Sequence, residues 1–186
     1  SARRALQLMA EQTRRMANLV ADLLTLSRLE NEQSPLHEEL VDMGALLNEV
    51  YQDGQSLSGG RHTLRMEIRS TTDLLGNHDE LRSAFGNLLS NAIRYTPDGG
   101  VIVLSWFERA GQPVYSVQDS GIGIAPQHIP RLTERFYRVD RSRSRETGGT
   151  GLGLAIVKYI AMRHQATLEV LSEEGKGSTF SLVFST

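Results

Sequence analysis

The run Gly148-Gly149-Thr150-Gly151-Leu152-Gly153-Leu154-Ala155 constrains this chain more than any other feature. It stands directly before the apolar segment Ile156-Val157-Lys158-Tyr159-Ile160-Ala161. Glycines this dense let a backbone approach a ligand closely. The helix expected from about residue 151 to 163 presents unpaired N–H groups, and the positive end of its dipole, to an anion. The combination suits a phosphate cradle. A glycine-rich turn is more often a plain loop, so the meaning of this one depends on what else the chain carries.

With 186 residues there is room for one ordinary domain and an appendage. A hydrophobic content of 39% suffices for a core, and a net charge of −2 argues against nucleic-acid binding through the whole surface. The absence of cysteine excludes disulfides, thiolate zinc sites and cysteine nucleophiles. No apolar stretch approaches the ~18 residues of a membrane span, so no membrane contact is expected, and no signal peptide is evident. The first residues lie inside a helical pattern and lack a starting Met, as in a piece of a longer protein.

Residues 1–30 predict one helix. Leu6, Met9, Thr13, Met16, Val20, Leu23 and Ser27 follow a 3-4 spacing, and Leu19, Leu26 and Leu29 widen the stripe. A partner-helix interface is favoured over packing on the chain's own domain, because the stripe is long, N-terminal and followed by a polar break. That break, around Asn31-Glu32-Gln33-Ser34-Pro35, predicts a linker at 31–36 and a second domain at 37–186. There the pattern turns to mixed α and β. Strands are expected at 36–41, 62–68, 73–76, 101–108, 114–118, 168–171 and 179–184. Helices are expected from an Asp42 cap to about 57, at 79–95 and at 151–163. Gly111-Gln112-Pro113 and Glu174-Gly175-Lys176-Gly177 read as hairpin turns. The fold class is α/β (α+β): a two-layer sandwich in which helices cover one face of a mixed sheet, preceded by one long helix.

Three further segments bear on the glycine run. Asn87 and Asn91 lie four apart, on one face of a helix. An Asn carbonyl is a hard oxygen suited to Mg²⁺, provided phosphate oxygens and water complete the shell; the alternative is two solvated amides. Asp119-Ser120-Gly121-Ile122-Gly123-Ile124 follows a strand, where a carboxylate can accept from an exocyclic amine such as adenine N6; taken alone it is a common turn. Residues 131–146 are rich in arginine, with Phe136 and Arg138 near their middle and a Ser/Arg alternation at 141–145. Beside a glycine run this suits a lid over phosphates; elsewhere it would be a solvated face. The P-loop, Rossmann, protein-kinase, zincin and EF-hand patterns are all absent.

In this order and spacing the four segments resemble the boxes of the Bergerat (GHKL) ATP-binding fold, and more narrowly those of bacterial sensor histidine kinases. The resemblance covers about residues 37–186, and the leading helix resembles the second helix of the dimerisation and histidine-phosphotransfer domain. It implies ATP and Mg²⁺ as cofactors, with Asn91 on the metal and Asn87 supporting it. Arg94 would reach the phosphates and Arg138 the γ-phosphate, so that Asn91, Arg94 and Arg138 form the catalytic set. Tyr95 would stack near the adenine, Asp119 bind its amine and Ile124 pack on the base. Phe136 would be the F box, while Gly121, Gly123 and the stretch Gly149, Thr150, Gly151, Leu152 and Gly153 shape the walls and lid. The same resemblance implies a homodimer through the helical domain, a cognate response regulator as partner, and a full-length protein anchored in the inner membrane with this part on the cytoplasmic side.

One element of the family pattern is missing. None of His37, His62, His78, His128 and His164 stands in the phosphoacceptor context, and His62 and His164 look structural. The chain is therefore expected to bind Mg-ATP without autophosphorylating. Two alternatives are a GHKL-type ATPase, disfavoured because Glu80 lies more than a turn from Asn87, and a nucleotide-binding interaction module without turnover.

Overall fold

A computed structural model of the chain describes residues 1–31, 36–139 and 149–185. Helix α1 (Ala2–Asn31) has the expected span, but its burial divides the predicted stripe in two. Leu6, Met9, Met16, Val20 and Leu23 are 40–65% exposed. Leu26 and Leu29 are buried, and Leu19 packs partly buried beside them. The two lines lie about 120° apart around a helix of 3.6 residues per turn. The second seats the C-terminal half of α1 on the chain's own core, against α4 (Gly153–Arg163). The preference for partner packing is thus corrected for this half of the helix. Residues 32–35 of the expected linker lie outside the described residues.

The remaining elements follow the predicted order with small shifts: β1 (Glu39–Val41), α2 (Met43–Ser58), β2 (Thr63–Ile68), β3 (Leu74–Gly76), α3 (His78–Tyr95), β4 (Val101–Arg109), β5 (Gln112–Asp119), a 3-10 segment (Pro126–Arg131), α4, β6 (Ala166–Glu173) and β7 (Gly177–Phe184). Side chains set the helix starts. Asp42 accepts from the Ala45 N–H at 3.1 Å to open α2, and Asn77 accepts from the Glu80 N–H at 3.0 Å to open α3. One turn was misplaced: Gln112 and Pro113 belong to β5, and the reversal falls on Ala110 and Gly111, both at positive φ. Pro113 is tolerated because it lies at the start of the strand.

β1 and β3 form a two-stranded antiparallel pair, and the other five strands form one sheet in the order β2-β4-β5-β7-β6. β2 runs parallel to β4 and every other pairing is antiparallel. This is the expected mixed sheet, with helices on one side. Paired residues share a face, so the register defines inward rows. Trp106, Tyr115 and Leu182 make one, and Leu104, Val117 and Phe180 the next. Against the first, Phe85 of α3 stacks on Tyr115 with centroids 3.8 Å apart and planes at 4°. The buried Tyr115 hydroxyl donates to the Phe85 carbonyl at 2.9 Å, and burial pushes its pKa well up. The last inward row is Ile102, Asp119 and Ser178. Here the apolar layer gives way to a carboxylate at the open end of the sandwich.

Candidate functional site

Helix α3 places Asn87, Asn91, Arg94 and Tyr95 on one side, next to the apolar face formed by Leu81, Phe85, Leu88, Leu89 and Ala92. All four polar residues border one cavity between α3, the strand ends and the start of α4. Asp119 forms its floor. Its Oδ1 accepts from the N–H groups of Gly121 at 2.9 Å and Ser178 at 3.3 Å, which leaves Oδ2 as the acceptor available to the cavity. Burial pushes the Asp119 carboxyl above the ordinary carboxylate range, and these two N–H groups offset part of that rise.

The turn after Asp119 requires glycine. Gly123 has φ +70°, and a Cβ there would fall 2.1 Å from the Glu173 carbonyl oxygen. This close approach brings Ile124 to the wall, held by its N–H donating to Ser172 Oγ at 2.8 Å. On the opposite wall Gly151, at φ +78°, lies against Phe136, whose N–H donates to the Gly151 carbonyl at 2.9 Å. Arg138 donates to the Gly149 carbonyl. Gly153 opens α4 against the Asn87 side chain, and no side chain caps that helix start. Its unpaired N–H groups, Arg94 and Arg138 make this end of the cavity suitable for an anion. Burial pulls the Arg94 guanidinium pKa down, while Tyr95 and Asp22 oppose the shift.

Eleven predicted residues border the cavity: Asn87, Asn91, Arg94, Tyr95, Asp119, Gly123, Ile124, Arg138, Gly149, Gly151 and Gly153. Four do not. Gly121 contributes only its N–H to Asp119. Phe136 is 56% exposed, with φ +62°, and acts through its backbone. Leu152 is fully buried in the core. The Thr150 hydroxyl is turned away, donating to Asp22 Oδ2 at 2.6 Å. Gly148 and the Ser/Arg alternation of the expected lid lie outside the described residues.

Sequence reasoning missed Ile122, Leu132, Tyr137, Val139, Leu154, Ser178 and Phe180, which complete the lining. Tyr137 is held by a hydrogen bond to His128 Nδ1 and by the Arg131 guanidinium 4.4 Å from its ring centre. Tyr137 and Val139 flank Arg138 in the segment already singled out, so proximity to it was an available signal; Ser178 and Phe180 had none. Among the described residues no group of three or more His, Cys, Asp or Glu could hold a metal ion. The Asn91 carbonyl fits a metal that arrives with phosphate oxygens as its other ligands.

Residues 76–186, which contain every residue bordering the cavity, match the family described as histidine kinase-, DNA gyrase B-, and HSP90-like ATPase. The chain belongs to this family, and its fold is that of the histidine kinase catalytic domains within it. Over 97% of its length it is 52% identical to the phosphate regulon sensor protein PhoR of Pseudomonas aeruginosa. It is 40% identical over the same share to PhoR of Haemophilus influenzae. It spans 41% and 42% of those two proteins. A crystal structure of full-length ShkA in complex with AMPPNP superposes on 99% of this chain and 39% of that one, with a TM-score of 0.81 and 26% identity. The Acinetobacter baumannii histidine kinase AdeS matches 97% of this chain and 83% of its own, with a TM-score of 0.76 and 25% identity.

Proposed function

We propose that this chain is the ATP-binding catalytic module of a PhoR-like sensor histidine kinase. It binds Mg-ATP and presents the γ-phosphoryl group to a histidine on the dimerisation domain. That phosphoryl group then passes to an aspartate of a PhoB-like response regulator in phosphate-starvation signalling. The observation that carries the reading is the cavity itself, with an acceptor-only carboxylate at one end and two guanidinium groups beside an uncapped helix start at the other. Asp119 Oδ2 suits the adenine amine, with Ile124 against the base. Arg94, Arg138 and the α4 N–H groups suit the phosphates, and Asn91 would hold Mg²⁺, which neutralises charge on the transferred group. No nucleic-acid role is proposed.

The acceptor would come from outside the chain. His62 bridges Ser58 and the Thr96 carbonyl, and His164 bridges the Ile160 carbonyl and the Asn77 N–H. Both serve the fold. An ATPase reading would need a carboxylate to activate water. Glu80, 3% exposed, is instead clasped by Arg163, with N···O distances of 2.7 and 3.1 Å. In the full-length protein the open line of α1 would face a second copy in a helical dimer.

Titration calorimetry tests the nucleotide reading. ATP with Mg²⁺ is expected to bind the 186-residue chain, and Asn91→Ala is expected to remove the Mg²⁺ dependence while adenosine still binds. Absence of ATP binding, or equal affinity for GTP, would sink it.

A further inference from the structure

Asp22 of α1 reaches the glycine run. It accepts from the Thr150 hydroxyl at 2.6 Å, across 128 positions of sequence. Thr150 is itself buried, at 8% exposed. Its two neighbours, Gly149 and Gly151, border the cavity. A Cβ on Gly149 would lie 3.7–3.9 Å from the Cδ, Nη1 and Nε of Arg94, and the Gly149 carbonyl receives Arg138. One carboxylate and two guanidinium groups therefore meet around three consecutive residues. The Arg94 guanidinium is pulled down by burial, and the negative charge of Asp22 opposes that shift. The seat of Asp22 is fixed independently of any ligand. Leu26 and Leu29 are buried in the core, and Glu30, two turns further along α1, pairs with Arg135.

We propose that Asp22 belongs to the nucleotide site: as a built-in anion at its arginine-lined end, it sets how tightly polyphosphate binds there. This rests on the reading of the cavity as an Mg-ATP site. Phosphates drawn to Arg94 and Arg138 approach a carboxylate already there, and like charges at this range repel. The repulsion acts on phosphates and leaves the adenine end untouched. Because coupling between two binding equilibria is reciprocal, a bound triphosphate loosens the seat of α1 by the factor that the seated helix weakens the triphosphate. Asp22 is thus a positioning and affinity-setting residue carried by a helix outside the nucleotide-binding fold.

The test compares the affinities of the 186-residue chain and its Asp22→Asn variant for ATP, ADP and adenosine. Asparagine keeps an oxygen for the Thr150 hydroxyl and removes the charge. ATP is expected to bind the variant tighter by about threefold or more, ADP by a smaller factor, and adenosine equally. Hydrogen exchange supplies the second readout. Amides of residues 19–30 are expected to exchange faster with ATP in the wild-type chain, and less so in Asp22→Asn. Unchanged ATP affinity in the variant, or a change matched by adenosine, overturns the proposal while leaving the nucleotide reading intact. Failure of the wild-type chain to bind either ATP or adenosine overturns both.

Discussion

Half-buried Asp119 and buried His164 are ionisable side chains whose environments have opposite consequences. Asp119 is raised by burial and retains one oxygen for a ligand. Its charged form is the better acceptor for an amine. Affinity for adenosine, which carries no phosphates of its own, should therefore be full at neutral pH. It should fall as the pH drops through a range above the ordinary value of 3.8. Asp119→Ala should weaken adenosine binding about 10-fold or more, the loss expected for a hydrogen bond to a charged group. A flat pH profile in the wild-type chain would deny Asp119 this role. His164 is lowered chiefly by burial; Nδ1–H donates to Ile160 and Nε2 accepts from Asn77, so the native ring is held neutral. Below the ordinary 6.5 the unfolded chain takes up a proton that the folded one resists. Its contribution to stability is thus complete above that pH and is lost as the pH falls beneath it. Urea denaturation at pH 7.5 and 5.5 should show this loss, and His164→Gln should reduce it. Equal losses in both proteins would contradict the assignment. The sequence pointed to both roles, Asp119 as an acceptor and His164 as structural, but not to the shifts. Burial sets those, and it depends on neighbours up to 87 positions away.

At the scale of elements, periodicity found what local chemistry determines. The Asp42 cap and the apolar face of α3 stand where the sequence placed them, while the Asn77 cap went unread. It failed where a choice depends on distant surfaces. Two apolar lines run along α1, and nothing within the helix says which meets the core. Phe136 was expected as the F box of the site, yet it adopts positive φ and is exposed, and its backbone rather than its ring meets the glycine loop. The pair of buried Glu80 with half-buried Arg163 joins α3 to α4 and was also unread, since its partners are 83 positions apart. Removing the charge of Glu80, itself 3% exposed, weakens two charge-assisted hydrogen bonds. Glu80→Gln should therefore destabilise the fold by about 2 kcal/mol. Nucleotide affinity of the folded variant should be unchanged at temperatures well below its melting transition. A variant of normal stability that no longer turned over ATP would instead restore the ATPase reading.

The molecule as a whole divides its labour between a rigid sandwich and the segments at its open end. The sheet order and the Phe85–Tyr115 stack hold the last inward row, and that row presents Asp119 and Ser178. The four boxes were legible because each is local. The cavity they share also needs Leu132, Tyr137 and Phe180, which only the tertiary fold brings together. Under the proposed function, this cavity delivers phosphoryl groups to a histidine elsewhere. The direct test mixes the 186-residue chain with γ-labelled ATP, Mg²⁺ and a separate polypeptide bearing a PhoR first dimerisation helix. Label is expected as phosphohistidine on the added polypeptide, absent with Asn91→Ala. Phosphohistidine on the 186-residue chain itself, or release of free phosphate without labelling of the helix, would contradict the account.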